Sequence, residues 1–264
     1  MDKQTTLTQL ISLHDKRALI TGAAGGIGQA IARRYAEAGA DLELVDMDAA
    51  GLACVEQELS GFDVQVRSHV VDLSSKKQID ALWNTLGDGP DILVNNAGVY
   101  PFRDFVDCDE QFVRRVMEVN LFSVSWMCRE MIVRRRKLGG VIINLGSIEA
   151  VLPFKDDLAH YSVSKAGVIA LTRALAKEHA RHGFRVNAIL PGGILTPGTK
   201  AAAREVLHFR FDLIKTGYEF MQRLPVGRVG RPDEVARIAL VLAGDLASYV
   251  HGAAIPVDGG FLAA

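Results

Sequence analysis

Short apolar segments alternate with amphipathic segments along the whole chain. The predicted strands cover 17–21, 42–45, 66–71, 91–94, 140–146, 185–190 and 253–257, and the predicted helices cover 27–38, 49–60, 75–86, 109–137, 161–182 and 232–244. Strands that are apolar throughout are buried on both faces, as in a parallel sheet covered by helices. With right-handed crossovers, this order predicts a doubly wound α/β (Rossmann) fold.

No internal repeat, low-complexity linker or shift in composition divides the 264 residues. We therefore expect one domain over 1–264, with an N-terminal extension at 1–14. The segment 198–228 is longer than a usual connection and follows the strand at 185–190, whose carboxyl end lies where such folds bind ligands. Either it covers the substrate as a helical segment, or it serves ordinary packing or a subunit contact.

Composition excludes several classes of partner. A formal net charge of −1 argues against a nucleic-acid-binding or anionic-membrane surface, and no stretch approaches the ~20 apolar residues of a membrane span. Cys54, Cys108 and Cys128 lack C-x-x-C spacing and the histidines form no ligand cluster, so we expect no disulfide, no metal site and three small buried hydrophobes. Because the N-terminus is charged where a signal peptide is apolar, we expect a cytoplasmic location.

A glycine-rich turn joins the first predicted strand to the first predicted helix. In "TGAAGGIG" the glycines are Gly22, Gly25, Gly26 and Gly28, followed along the helix by apolar positions that include Ile27. Glycine lets a diphosphate approach the amides at a helix N-terminus, where the helix dipole favours anions. Such turns are common without a ligand, but this strand-turn-helix context is the one that the motif requires, and it predicts nucleotide binding.

Asp46 ends the second predicted strand and bears on the choice of nucleotide. A carboxylate there can accept hydrogen bonds from the adenosine ribose hydroxyls, whereas the 2′-phosphate of NADP would face like charge. The variable positions of the glycine turn, Ala23 and Ala24, offer no cation to offset that charge. The sequence therefore favours NAD, unless Asp46 is only a solvated acid that starts a turn.

Polar and small residues also follow the third and fourth predicted strands. Asp72 and Leu73 come after 66–71, and "NNAG" at 95–98 comes after 91–94. These residues either form turns or extend the ligand-binding edge. Their repeated placement at the carboxyl ends of strands favours the ligand-binding edge.

Tyr161 and Lys165 lie one helical turn apart at the start of a predicted helix. A free phenol has a pKa of about 10, and a neighbouring cation lowers it towards the operating pH of a general base. Ser147, after the strand at 140–146, can donate to a developing alkoxide, and Asn120 is a polar residue in an apolar helix that calls for a hydrogen-bond partner. Taken singly, each residue also has an ordinary structural interpretation. Tyr161 could be an aromatic residue at a helix start and Lys165 a solvated charge. Ser147 could be a turn residue and Asn120 a structural amide.

The combination closely resembles the classical short-chain dehydrogenase/reductase family. The matching residues are "TGAAGGIG" (21–28), Asp72, "NNAG" (95–98), Asn120, Ser147, "YSVSK" (161–165) and "PGGILT" (191–196). The resemblance implies seven parallel strands, a nicotinamide cofactor and hydride transfer at a carbinol or carbonyl carbon. It also implies a homo-oligomer, a tetramer or dimer, with the helices at 109–137 and 161–182 between subunits.

The resemblance implies a role for each matching residue. Tyr161 would be the general acid/base, Lys165 its activator and a ribose ligand, and Ser147 the donor to the substrate oxygen. Asn120 would hold the helix geometry and a water of the proton relay. The implied cofactor contacts are Gly22, Gly26, Ile27, Gly28, Asp46, Asp72, Leu73, Asn96, Ala97, Gly98, Tyr161, Lys165, Pro191, Gly192, Ile194 and Thr196.

The substrate is less well defined by the sequence. Apolar walls are offered by Tyr100, Phe102, Leu152 and Phe154, and polar contacts by Arg103, Glu149, Lys155 and His160, although each is otherwise an ordinary surface residue. Glu149 could bind a second substrate hydroxyl, with Ser147 and Tyr161 at the first, while Lys155 is expected to pair with the adjacent Asp156 and Asp157.

The leading hypothesis is an NAD-dependent dehydrogenase of a secondary alcohol such as a polyol, sugar or hydroxy acid. A 3-oxoacyl-thioester reductase of the acyl-carrier-protein type is the alternative, although biosynthetic reductases of that kind generally use NADPH. A nucleotide-sensing scaffold without catalysis would keep the glycines and lose Tyr161, Lys165 or Ser147, all of which are present.

Overall fold

The computed structural model describes residues 5–196 and 219–264, and within them the strands form one parallel sheet. The order across the sheet is β3-β2-β1-β4-β5-β6-β7, which confirms the predicted doubly wound fold with seven parallel strands. The strands are β1 Arg17–Thr21, β2 Asp41–Asp46, β3 Val66–Val70, β4 Ile92–Asn95, β5 Gly140–Leu145, β6 Phe184–Pro191 and β7 Ala254–Val257.

The described helices begin where side chains can satisfy their first amides. Asp48, Ser75 and Asp109 each accept a hydrogen bond from a backbone N–H in the first turn that follows. The helices are α1 Leu7–Ile11, α2 Gly26–Glu37, α3 Ala49–Leu59, α4 Lys76–Thr85, α5 Glu110–Met117, α6 Ser123–Arg134, α7 Ala159–His179 and α8 Pro232–Ala243.

Two apolar layers cover the two faces of the sheet. On one face α2 and α8 pack together, and the hydroxyl of buried Tyr35 donates to the carbonyl of Ala239 at 3.0 Å. On the other face Trp83 of α4, Met127 of α6 and Val168 of α7 are fully buried. Because both faces are covered, the carboxyl ends of the strands are the natural place for a ligand.

The helix predicted over 109–137 is not continuous. It ends as α5 at Met117, passes through a π-helical turn over Glu118–Phe122 and resumes as α6. Asn120 lies in that turn and is completely buried. Sequence periodicity does not reveal an extra residue per turn, and such turns occur frequently at functional sites.

The expectation of three buried cysteines is wrong for two of them. All three thiols are free, but Cys54 is exposed, Cys108 is only partly buried, and Cys128 alone is buried. In the described part of the chain, no helix has the length and apolar character needed to cross a membrane. Most of the predicted 198–228 segment falls at 197–218, outside the described residues, and the N-terminal extension contains the short helix α1.

Candidate active site

The glycine turn is held closely against the neighbouring strand. Gly22 has a φ of +65°, and a β-carbon on Gly28 would lie 2.0 Å from the carbonyl oxygen of Gly22. The side-chain amide of Asn96 donates to the carbonyls of Thr21 and Gly22 at 2.9 and 3.0 Å. Only glycine fits at position 28, because any side chain there would collide with backbone.

The open side of this turn fits a diphosphate. Gly25 caps α2 without any side-chain hydrogen bond, the first turn of α2 holds no acidic residue, and nothing lies within 4 Å of a β-carbon built on Gly25. The amides at the start of α2 therefore face free space with the positive end of the helix dipole. Thr196 lies across the turn, with its methyl carbon 3.3 Å from a β-carbon built on Gly26.

Asp46 lies beside the same turn at the carboxyl end of β2. Its two carboxylate oxygens accept hydrogen bonds from the backbone N–H groups of Ala24 and Asp48, each at 3.1 Å. The carboxylate is thus fixed in place, and the amide of Ala24 is already engaged. A phosphate on the ribose would meet a negative charge here instead of a donor.

The other predicted cofactor residues follow the carboxyl ends of three further strands. The carboxylate of Asp72 accepts from the amide and hydroxyl of Ser74 at 2.9 and 2.7 Å, which shapes the loop after β3. After β4, the amides of Asn96 and Ala97 both donate to the Thr21 hydroxyl at 3.0 Å. One edge of the sheet therefore gathers Asp72, Leu73, Asn96, Ala97, Gly98, Pro191, Gly192 and Ile194.

Ser147, Tyr161 and Lys165 meet between β5 and the first turns of α7. The Ser147 oxygen accepts from the amide of Glu149 at 3.2 Å, and the Ser147 hydroxyl acts on Tyr161 by lowering the pKa of that phenol. Lys165 is buried, donates to the carbonyl of Leu145 at 2.8 Å, and its nitrogen lies 5.9 Å from the centre of the Tyr161 ring. The structure thus brings the predicted serine, tyrosine and lysine together.

Burial dominates the protonation of this group. Burial raises the pKa of Tyr161 to about 12, while the hydrogen bond from Ser147 opposes the rise and the charge of Glu149 adds to it. Burial also lowers the pKa of Lys165 to about 8. The sequence predicted a phenol pKa lowered by Lys165, but in the structure the pKa of Tyr161 is raised, because burial favours the uncharged form of both Tyr161 and Lys165.

Asn120 links the loop after β4 to the helix that carries Tyr161. Its side-chain oxygen accepts from the amide of Val99 at 2.8 Å, and its nitrogen donates to the Val99 carbonyl at 2.9 Å and to the Ser164 hydroxyl at 3.3 Å. Ser164 in turn donates to the carbonyl of Tyr161 at 2.7 Å. Sequence reasoning missed Ser164, although a serine three residues after Tyr161 in a helix can reach back to that carbonyl.

Aromatic rings form one pair at Tyr161 and a separate cluster that includes Phe154 of the loop after β5. The ring of Tyr100 stands edge-on to Tyr161, with centres 4.7 Å apart. Phe154, Phe220 and Phe261, here called the aromatic triad, lie within 4.8–5.0 Å of one another. The sequence predicted Tyr100 and Phe154 as apolar walls and missed Phe261, because no local pattern indicates that the last turn packs onto this loop.

Glu149 is buried, so its interpretation as a surface residue is wrong. It is 2% exposed, and one carboxylate oxygen accepts from the amide of Phe154 at 3.3 Å. The other oxygen, Oε1, is buried and has no hydrogen-bond partner among the described residues. Burial raises the pKa of Glu149 to about 7, while the bond from Phe154 and the charge of Lys155 act in the opposite direction.

Lys155 does not pair with the adjacent aspartates as predicted. No ion pair joins it to Asp156 or Asp157 in the described part of the chain, and its nitrogen lies 4.3 Å from the centre of the Phe102 ring. The other two polar candidates are engaged elsewhere. Arg103 bonds to the carboxylate of Asp109 at 2.9 Å, and His160 stacks on the ring of Phe105.

Known proteins resemble this chain over nearly its whole length. A family model described as enoyl-(acyl carrier protein) reductase matches residues 22–262. A galactitol 2-dehydrogenase (L-tagatose-forming) of Cereibacter sphaeroides is 38% identical over 92% of this chain and 94% of its own. A 3-oxoacyl-(acyl-carrier-protein) reductase of Thermotoga maritima is 34% identical over 95% of this chain and 99% of its own.

Solved structures show the same architecture. The L-sorbose reductase of Gluconobacter frateurii, complexed with NADPH and L-sorbose, superposes with a TM-score of 0.88 at 30% identity, covering 97% of this chain and 99% of the other. The chain belongs to the short-chain dehydrogenase/reductase family and is an oxidoreductase that acts on CH–OH groups.

The buried carboxyl of Glu149 predicts a specific dependence of stability on pH. Since its pKa in the folded chain is about 7, above the ordinary value of 4.5, its stabilising contribution is present below about pH 4.5 and is lost as the pH rises through 7. Glu149→Gln has no proton to lose, so its free energy of unfolding relative to the parent should rise by up to about 3 kcal/mol between pH 4.5 and pH 8.

Urea unfolding at several pH values measures this difference. Glu58→Gln, which changes an exposed carboxylate, serves as the control and should show no such trend. If the free energy of unfolding of Glu149→Gln changed with pH in parallel with that of the parent, the raised pKa of the buried carboxyl would be contradicted.

Proposed function

We propose that this member of the short-chain dehydrogenase/reductase family is an NAD-dependent dehydrogenase of a polyol or a similar hydroxy compound. The observation that supports it best is the group formed by buried Ser147 and Lys165 with half-buried Tyr161, together with the unpartnered oxygen of Glu149. A secondary alcohol supplies one hydroxyl for Tyr161, and a polyol supplies a second for Glu149. The similarity to galactitol 2-dehydrogenase favours the same substrate class.

The chain's own residues manage the proton of the reaction. When bound, oxidised nicotinamide would supply the hydride acceptor and a positive charge that favours the phenolate form of Tyr161, the form that can accept a proton. Tyr161 takes the proton of the substrate hydroxyl, and Ser147 donates to the same substrate oxygen as its charge develops. Lys165 stabilises the phenolate, and Asn120 fixes the first turn of α7 through Ser164. A relay water at Asn120 stays a prediction.

The preference for NAD rests on Asp46. Its carboxylate is held by two backbone amides next to the glycine turn, where it can accept from both ribose hydroxyls and repels a 2′-phosphate. The L-sorbose reductase was solved with NADPH, so relatives of this fold also use the phosphorylated cofactor. Nicotinamide binding is thus the property of the family, and NAD is the choice we propose for this chain.

The acyl-thioester alternative is weaker on one physical point. The Thermotoga maritima relative reduces a 3-oxoacyl group, so this activity is a genuine second candidate. An acyl chain, however, has no hydrogen-bond donor for the buried oxygen of Glu149, and a carboxylate left unsatisfied is unfavourable. An enoyl reductase is also disfavoured, since those of this fold space the tyrosine and lysine more widely than Tyr161 and Lys165.

We also propose that the protein assembles as a homo-oligomer, a tetramer or dimer, through the helices α5 to α7. Large apolar side chains are exposed there: Phe122 is 47% exposed, Val133 57% and Val163 58%. Phe122 and Trp126 lie one turn apart, so they present a shared apolar face. Exposed apolar faces of this kind usually mark an interface between proteins. A cytoplasmic location likewise stays a prediction.

Replacing the catalytic tyrosine tests the proposed chemistry. Tyr161→Phe removes the proton acceptor and should lower kcat for NAD-dependent alcohol oxidation by about 10²–10⁴-fold, the contribution of a positioned general base. NADH binding, measured by calorimetry, should change only a few-fold. Tyr249→Phe changes a fully exposed ring and should behave like the parent. Turnover within tenfold of the parent for Tyr161→Phe would overturn the mechanism.

Binding titrations with NADH and NADPH test the role of Asp46. The parent should bind NADH much more tightly than NADPH. Asp46→Ala removes hydrogen bonds to a charged acceptor, so it should weaken NADH binding by about 10- to 100-fold. It should also reduce the preference for NADH over NADPH. Asp63→Ala, at an exposed carboxylate, is the control. Equal or tighter NADPH binding by the parent would refute the assignment and favour the acyl-thioester reductase.

Light scattering tests the assembly. Phe122→Asp places a charge in the proposed interface and should lower the molar mass in solution, whereas Leu7→Asp, at a comparably exposed apolar residue of α1, should not. An unchanged mass for Phe122→Asp, with its native circular dichroism retained, would show that the interface lies elsewhere.

A further inference from the structure

Two charged side chains next to the catalytic tyrosine take no part in the proton transfer described above. Glu149 keeps a buried oxygen, Oε1, without a hydrogen bond among the described residues. After burial, the charge of Glu149 is the next largest cause that raises the pKa of Tyr100. It also raises the pKa of Tyr161, whose ring contacts that of Tyr100 with centres 4.7 Å apart.

Lys155 lies against the aromatic rings next to Tyr161. Its nitrogen lies 4.3 Å from the centre of the Phe102 ring and 6.0 Å from that of Tyr100, whose ring stands against Tyr161. Burial lowers the pKa of Lys155 and the charge of Glu149 raises it, so the two groups interact through space. Its ammonium has three donors, and the described residues provide only the faces of aromatic rings to them.

Within the described residues, Glu149 makes no hydrogen bond to Lys155: its Oε2 accepts from the amide of Phe154, and its Oε1 has no partner. Opposite charges that are close enough to interact and yet remain apart leave one acceptor and one set of donors unused. Buried polar groups are normally satisfied, and those that are not satisfied within the protein often bind a ligand. The gap between them is therefore suited to a molecule that both accepts and donates hydrogen bonds.

We propose that Lys155 and Glu149 together determine specificity for a neutral polyhydroxy substrate, each binding one hydroxyl beyond the one that is oxidised. Lys155 donates to the oxygen of one hydroxyl, and Glu149 accepts the hydrogen of another. This inference rests on the proposed function, since it takes the reacting hydroxyl to be at Tyr161. It adds Lys155 as a substrate-binding residue and narrows the substrate class.

Charge and chemistry favour a neutral polyol over the other hydroxy compounds. Lys155 and Glu149 carry opposite charges, so a neutral ligand leaves the net charge of the pair at zero. A carboxylate at Lys155 would lie within the field of Glu149, and like charges repel strongly where water is excluded. A simple secondary alcohol or an acyl thioester would leave both groups without partners, and a site built to bind hydroxyls discriminates against analogues that lack them.

The test compares substrates and variants in the NAD-dependent assay. The substrates are xylitol, sorbitol and galactitol as neutral polyols, gluconate as an anion, and cyclohexanol as a single hydroxyl. For the parent, kcat/KM should be highest for a neutral polyol. Lys155→Met should lower the ratio of kcat/KM for that polyol to kcat/KM for cyclohexanol by about 10- to 100-fold, the effect expected for a hydrogen bond to a charged group.

Two further variants make the result specific. Lys155→Arg keeps a cationic donor and should recover most of the ratio, whereas Lys177→Met, at an exposed lysine of α7, should leave it unchanged. An unchanged ratio for Lys155→Met, or a parent that prefers gluconate or cyclohexanol, would overturn the inference. If Lys155→Met does not fold, the parent protein is assayed instead with monodeoxy analogues of its best polyol, each lacking one hydroxyl. Equal kcat/KM values for all of these analogues would also overturn the inference.

A binding measurement separates this inference from the proposed function. The Tyr161→Phe variant does not turn over, so polyol binding to its NADH complex can be measured by calorimetry. The further substitution Lys155→Met should weaken that binding by about the same factor by which it lowers the ratio of kcat/KM values. If no alcohol is oxidised with NAD by the parent, the proposed function fails. If cyclohexanol is oxidised in a Tyr161-dependent way but no polyol is preferred, only the role of Lys155 and Glu149 fails.

Discussion

The contact between Gly28 and the carbonyl oxygen of Gly22 determines the geometry of the whole ligand-binding edge. It lets α2 start directly beside the end of β1, and the amide of Asn96 fastens that turn to the end of β4. Val99 follows three residues later, and both its backbone N–H and its carbonyl form hydrogen bonds with the side chain of Asn120. Hydrogen bonds through Ser164 then reach Tyr161, so the glycine turn and Tyr161 belong to one connected framework.

Burial shifts the pKa values of the candidate site and also makes its unpartnered polar groups energetically unfavourable. Tyr161 and Lys165 are each displaced towards the uncharged form, and Glu149 keeps an oxygen without a partner. In a medium of low dielectric constant such groups respond strongly to any charge or hydrogen bond that a ligand adds. The free chain therefore holds unfavourable polar groups that a suitable ligand relieves, which is a common compromise between stability and function.

Much of this arrangement could be predicted from the sequence because it depends on local rules. Alternating strands and helices predict the sheet, and the glycines in a strand-turn-helix context predict the nucleotide site. The π-helical turn at Asn120 could not be predicted, because the periodicity of the sequence does not reveal an extra residue per turn, and the bonds from Asn120 to Val99 join residues 21 positions apart. The burial of Glu149 and the separation of Lys155 from its neighbouring aspartates also depend on tertiary packing, which a residue's neighbours in sequence do not reveal.

The aromatic triad has a consequence for the order in which the protein is completed during synthesis. Phe154 follows β5, Phe220 precedes α8, and Phe261 follows β7, yet the three rings pack on one another. The residues around 261 must therefore leave the ribosome before the three rings can pack together, long after the glycine turn and Asp46 have emerged. The glycine turn can thus form early in synthesis and the aromatic triad only late.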